Sequence, residues 1–517
     1  MPDPLCRRTS LCSREAGRKG TNVNGISNAF LRWRDAGVLT RSQRYDETIE
    51  SIPLRLNAIP ASRTYEAVES LVCQPIEGVV DENFSSSRLL AFSQLHSSYG
   101  GSTGTYAGVK LKDEGKKVAI VERNDYLGGH IGTLYVDGEP VDYGVQGLFN
   151  TETTTKYLNR LNVQYEPLLP ATLDNRYVDF RTGKTAPYDG NVVNITATLL
   201  LYSAVVSKFE GIADGSFNLP DQVPDELLMP FGQFVQRYHL EGALPLVWTF
   251  AHGSGNMLTA PTLYVLQLFG QPHVNALLRG YVRAKRGTAE VYKKAAEVLG
   301  SDVIYNSQIL KVTRSDSGVT VVVRTKDDKF KQIRAKKLLV TMVPTLRNLD
   351  PFDLDQKEES VFRQWMWKNY YVGIVKNSGL PEKASIVDVD PTKAASLPHM
   401  PFVWHLDYMG VPGYHAVKIV GDSEFTESEA KELVLGGIRR MGAAGTFPIS
   451  NPELATWRRH IPLTLAVSNE AVKGGFYRDL YALQGHKNTF YTGLSFCSDY
   501  STLLWDFTNK VLEQMGV

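Results

Sequence analysis

The chain has 517 residues, a formal charge of +1 from 56 basic and 55 acidic side chains, 43% hydrophobic residues, 43 glycines and four cysteines. At about 150 residues per domain, this length corresponds to two or three domains with ample apolar content for a large core, which excludes a disordered or disulfide-stapled chain. So little net charge offers no field to gather phosphate backbones or acidic lipids, so a small-molecule enzyme is expected and nucleic-acid binding is not.

Residues 1–85 show no sustained helical or strand period, and up to Arg44 they carry nine basic residues against three acidic ones. No amphipathic apolar face accompanies that charge, so a loosely ordered extension is expected rather than a basic targeting arm. Cys6, Cys12, Cys73 and Cys497 have no C-x-x-C spacing and no neighbouring His pair, which argues free thiols and no metal site. The most apolar stretch, residues 197–206, falls short of the roughly 18 residues of a membrane span, and no unbroken apolar signal segment precedes it. As written, the chain reads as soluble and cytoplasmic.

Function is concentrated where the glycines are, with 11 in the 48 residues from Gly100 to Gly147 against five in the first 99. Glycine at that density marks backbone that something approaches closely. From there the spacing predicts a helix over 105–114 and a doubly buried strand over 117–122. Residues 151–280 are aromatic-rich with helix-like spacing, as in 243–250. A second α/β block then predicts a helix over 289–299 and strands over 303–305, 308–314, 318–323 and 337–341. Residues 346–460 are mixed aromatic and charged sequence. A strand over 489–492, a turn at Gly493 and a helix over 501–515 close the chain.

Tyr99-Gly100-Gly101-Ser102-Thr103-Gly104 overlays the dinucleotide fingerprint G-x-G-x-x-G at its second and third glycines, Gly101 and Gly104. The second lets a pyrophosphate approach the backbone, and the third lets the helix pack close to its strand. The helix start offers N–H groups to phosphate, and Glu122 follows 18 residues after Gly104, where a carboxylate accepts ribose hydroxyls. Two defects accompany the match. Tyr99 replaces the first glycine, and the strand leading into the loop is missing, its only candidate being Leu89-Leu90-Ala91-Phe92. They suggest that the true start of the chain differs from the one written, in which case secretion becomes an alternative and the sequons at Asn83 and Asn194 gain meaning.

After Glu122 come Arg123-Asn124-Asp125-Tyr126-Leu127-Gly128-Gly129-His130 and then Val141-Asp142-Tyr143-Gly144-Val145-Gln146-Gly147. With Gly287-Thr288, the Ile309 strand, 340–344, Tyr491-Thr492-Gly493 and Ser501-Thr502-Leu503-Leu504-Trp505, these motifs resemble the flavin-dependent amine oxidase superfamily over roughly residues 100–517. They are most similar to its fungal beta-cyclopiazonate dehydrogenase-like branch. The resemblance implies an α/β fold in which a Rossmann-like FAD-binding domain (86–150, 281–345 and 461–517) is interleaved with an α+β substrate domain (151–280 and 346–460). It implies FAD with Gly101, Gly104 and Thr105 at the pyrophosphate, Glu122 at the ribose and the backbone of Ile309 at the adenine, with Thr103 and Arg123 also among the cofactor-binding residues. Gly128, Gly129 and His130 would run beneath the ribityl chain towards the flavin, and Gly493, Ser501 and Thr502 would face the pyrimidine edge.

The implied reaction is hydride removal from a small organic, secondary-metabolite substrate at a C–N or activated C–C bond, with dioxygen as reoxidant. A double-bond isomerase of the polyenoic fatty acid isomerase type and a flavin-poor, non-catalytic relative are the alternatives. Gln146 is the one candidate to face the substrate, against a solvated loop glutamine. His130 is a flavin tether or a packed turn histidine, Cys497 is a weaker tether candidate, and the aromatic run 365–371 is a pocket wall or plain core.

Overall fold

The computed structural model describes residues 88–92, 101–168, 173–188 and 195–517. The expectations for residues 1–85, for Tyr99 and for both sequons lie outside these residues.

A parallel sheet organises the first part of the fold, in the order Val303–Ile304, Lys117–Val121, Arg88–Phe92, Lys337–Val340, Thr489–Tyr491. Its strands read as short apolar runs because a parallel sheet is covered on both faces. The strand expected to be missing is therefore present, and it is central. Leu89 pairs with Val118 on one side and with Lys337 on the other. Neighbours on both sides, drawn from distant parts of the chain, settle a five-residue segment that carries little local signal. The first helix, Ser102–Asp113, starts three residues earlier than its period suggests. Its Gly108 sits where a Cβ would fall 2.5 Å from Ile120 and 3.2 Å from Leu299, so helix, sheet and the Ala289–Leu299 helix meet at one point without a side chain between them.

An antiparallel sheet of Gln308–Ser315, Gly318–Arg324 and Phe330–Ala335 follows the Val303–Ile304 strand. Residues 346–460, expected from sequence to belong to the α+β substrate domain but with no individual strands placed, contribute most of a seven-stranded sheet. Its order is Glu453–Ala466, Met366–Lys376, His415–Gly421, Phe402–Tyr408, Ala384–Asp388, Asp174–Asp179, Lys184–Thr185. The reason for the omission is visible in Met366–Lys376, whose residues 369–375 are all buried, so no polar–apolar alternation survives. Two cores share that strand. Tyr370, Val372 and Ile374 pack with the helical segment that includes Phe231, Trp248 and Leu263, whereas Tyr371 and Val375 pack on the Glu427–Ala443 helix. The Glu453–Ala466 strand runs unbroken through residue 460, where a domain boundary was expected. Among the described residues no helix is long and apolar enough to cross a membrane.

A buried ion pair ties these parts together. Arg314 has no exposed side-chain surface and donates to Glu358 at 2.6 and 2.8 Å and to Asp353 at 2.7 Å, while the Tyr491 hydroxyl donates to Glu358 at 2.9 Å. Asp355, Glu358 and His486 are clustered closely enough to suggest a metal site. However, Lys487 lies 3.2 Å from Asp355 and Arg314 already holds Glu358, so resident cations meet that charge. Removing one partner of a buried pair strands the other. Arg314→Met should cost about 3–5 kcal/mol in a denaturant melt, with the double variant Arg314→Met/Glu358→Leu recovering most of the loss.

Candidate active site

Three backbone features converge on the ring of Tyr292. The hydroxyl donates to Ser102 Oγ at 2.9 Å, at the start of the first helix, and the indole of Trp505 in the last helix, Ser501–Gln514, donates to the same oxygen at 2.9 Å. The phenol also bonds the side chain of Ser501, the first residue of that last helix. The third feature is the Gly128-Gly129 turn, with φ of +121° and +59°. A Cβ on Gly128 would lie 3.1 Å from the Tyr292 ring, so glycine is needed there for both conformation and space. Both helices begin without a side-chain cap and without an acidic residue in the first turn, which leaves their N-terminal N–H groups and positive dipole ends for something else.

The remaining sequence-derived positions fall around this node. Thr103, Gly104 and Thr105 are buried in the first helical turn after Gly101. Glu122, just past the end of its strand, is wholly buried and accepts from the Asn124 N–H at 2.7 Å and from its amide at 2.8 Å. Arg123, Ser307, Gln308, Arg324 and Lys326 line a cleft of about 410 Å³ beside it. Ile309 is buried opposite Val323. Gly493 has φ +110° in the turn after the last parallel strand. The Thr502 hydroxyl is engaged by Phe149 N–H at 3.2 Å and Thr154 at 2.9 Å. Gln146 turns its amide back onto the Asp142 carbonyl at 3.0 Å. The thiol of Cys497 is buried 3.6 Å from the Leu503 carbonyl, and burial pushes its pKa up, the opposite of a reactive cysteine.

Opposite the glycine turn stands one face of the seven-stranded sheet, whose register sets its chemistry. Val372 pairs with Lys418 on one side and Arg458 on the other, and Lys418 pairs in turn with His405. Cross-strand partners share a face, so His405, Lys418, Val372 and Arg458 form one row. Tyr370 paired with His460 begins the next. His130 stacks on His460 with ring centroids 4.1 Å apart, and Tyr370 lies beyond at 6.1 Å. His252 Nδ1 is 3.2 Å from the Thr249 carbonyl and Nε2 is 2.7 Å from the Tyr370 hydroxyl. A carbonyl can only accept, so Nδ1 carries the proton and the phenol donates to Nε2. The other side of the His252 ring lies on Trp404, 3.7 Å away.

His130, Lys368, Lys418, Asp499 and Tyr500 lie deep in the protein yet each keeps some accessible surface, and together they outline a candidate cavity wall. Burial governs their ionisation. It lowers His130 to about 4, aided by the Arg458 charge, and takes His252, His405 and His460 well below the usual range. It also depresses both lysines and pushes Asp499 up to about 6. Of this wall, sequence singled out only His130 and the run containing Tyr370. That run divides by strand alternation, since Tyr371 points to the opposite face and donates to the Phe425 carbonyl at 2.7 Å.

A parallel sheet with a glycine-led helix, an acid past its second strand and a second helix aimed at the same place define a Rossmann-like flavoprotein. Residues 103–503 match the family of flavin containing amine oxidoreductases, and the chain belongs to that family as an FAD-dependent oxidoreductase. Beta-cyclopiazonate dehydrogenase of Aspergillus oryzae is 43% identical over 418 residues, covering 81% of this chain and 91% of that protein. An FAD-dependent oxidoreductase of Cochliobolus heterostrophus is 35% identical over 428 residues, covering 79% and 88%. In fold, the chain is similar to the CLA-producing fatty acid isomerase from P. acnes, with TM-score 0.68 at 19% identity over 84% of this chain and 99% of that one. It is also similar to putrescine oxidase, with TM-score 0.56 at 15% identity over 83% and 99%.

Two outcomes follow. Tyr292→Phe, which deletes the shared hydroxyl, should lower stability by about 1 kcal/mol in a denaturant melt. His130 is held at about 4 in the folded protein against 6.5 for an ordinary histidine. Between those values the unfolded chain therefore binds more protons, and stability falls as pH drops. Acidifying from pH 7 to 5 should cost on the order of 2 kcal/mol through this residue, and His130→Asn should remove that part of the slope.

Proposed function

We propose that FAD lies extended from Glu122 to the start of the last helix, and that the cavity walled by Tyr370, His460, Lys368 and Asp499 holds a small secondary-metabolite substrate against it. The observation that carries this reading is the Tyr292 node, which directs two uncapped helix starts and the Gly128-Gly129 turn at one place. The residues suit the cofactor. Gly101 to Thr105 offer backbone N–H groups to the pyrophosphate, buried Glu122 offers a carboxylate to ribose hydroxyls, and Arg123 and Ile309 flank the adenosine. His130, Gly493, Ser501 and Thr502 border the flavin ring. In this reading the parallel-sheet segments form the cofactor domain, and the seven-stranded sheet with its helices forms the substrate domain.

FAD, when bound, supplies a two-electron acceptor for hydride from a C–N or activated C–C bond. The last helix directs its positive dipole end at the pyrimidine edge, where reduction accumulates negative charge. The neutral histidines and buried aromatic rings keep water from the reacting carbon. Dioxygen is the proposed reoxidant, and the naming of the Aspergillus relative as a dehydrogenase supports net oxidation of substrate. The likeness to a fatty acid isomerase favours a second reading, in which hydride leaves and returns to the same substrate.

Purified protein should be yellow. Its flavin should separate from the chain on denaturation, because the His130 ring is occupied in stacking on His460; flavin that stays with the chain would make His130 a tether. Glu122→Gln should weaken FAD binding by about tenfold or more. One hydrogen peroxide per turnover would establish oxidation with dioxygen, and turnover without peroxide or other acceptor would establish the isomerase.

A further inference from the structure

The wall of the cavity holds more positive charge than the protein itself balances. Among the described residues Lys418 has no hydrogen bond or ion pair, and its ammonium lies 5.2 Å from the centre of the Trp404 ring. The nearest carboxylate that influences it, Asp407, is engaged by Ser385 and by His405 at 3.2 Å. Arg458, across Val372 in the same row, donates to the hydroxyls of Tyr143, at 3.0 Å, and Tyr126, and to no carboxylate among the described residues. Lys368 is likewise without an ionic partner among the described residues, its chain packed against Gly255. Against these three stand Asp407, whose charge acts on Lys418 while its oxygens bond Ser385 and His405, and Asp499, whose charge is felt at Tyr370 and Tyr500 rather than at Lys418 or Arg458. His130, His252, His405 and His460 add no charge near neutral pH.

A buried ammonium without a partner costs several kcal/mol. It is retained where a partner arrives from outside. A cationic amine would bring like charge to the row, whereas a neutral ligand would leave the cost in place. We propose that the cavity takes its substrate as an organic anion, a carboxylate or an enolate, whose charge is received between Lys418 and Arg458. This inference rests on the reading of the cavity as the substrate site and narrows its chemistry.

The test uses three probes with one ring system and three charges, namely indole-3-acetate, its methyl ester and tryptamine, titrated calorimetrically into the FAD-loaded protein whose flavin content is measured in the same sample. Indole-3-acetate should bind at least tenfold more tightly than the ester, and tryptamine most weakly. Lys418→Met and Lys418→Gln should each erase that preference and raise the melting temperature of the ligand-free protein, since an unpaired buried charge has been removed. Equal or tighter binding of the ester or tryptamine would overturn the proposal. So would a melting temperature lowered in both variants, because that is the mark of a lysine paired within the protein. Absence of FAD from the purified protein would instead sink the flavin reading, while the charge preference would still be read from the calorimetry.

Discussion

The Tyr292 hydroxyl is the contact on which the cofactor side of this molecule depends. One phenol bridges the starts of two helices separated by about four hundred residues of sequence, and its ring backs the glycine turn that follows Glu122. The parallel sheet fixes where these elements begin, but it does not fix how they point. Helix starts left uncapped are costly unless something satisfies their N–H groups, and the node holds two such starts, neither capped by a side chain, in register.

The seven-stranded sheet answers with a wall of a different character. Its rear face is closed by the Glu427–Ala443 helix over an apolar core that includes Val375, Val417 and Ile419. Its front face carries Lys418, Arg458, Tyr370 and His460, drawn from three strands by register alone. Arg458 also reaches Tyr126 and Tyr143, which flank the glycine turn and its sequel. One of the two side chains proposed to receive the substrate charge is thus also the one that clasps the loop beside the proposed cofactor site.

What could be read in the sequence was what local spacing encodes. The Ala289–Leu299 helix, the apolar strands near 117, 337 and 489, and the final helix each carry their own period or boundary, and the structure forms them within a few residues of those expectations. The strand Arg88–Phe92 was underrated because both of its neighbours come from elsewhere in the chain. The wide sheet was invisible because burial on both faces erases alternation. The row of His405, Lys418, Val372 and Arg458 joins positions far apart in sequence, and no motif marks them, since pairing register is a property of the assembled sheet. Asp499 and Lys368 look like ordinary polar residues until the cavity encloses them.

Lys418 lies between Val417 and Ile419, which are both buried in the rear core. A strand of this kind separates two duties residue by residue. The neighbours on either side hold the sheet to its supporting helix, while position 418 contributes to the cavity and little to the packing behind it. Descendants of such a protein can therefore exchange the residue at this position, or at 405 or 458, and so change the charge of the molecules they accept without rebuilding the scaffold. Such an alternation gives the scaffold a place where variation is cheap.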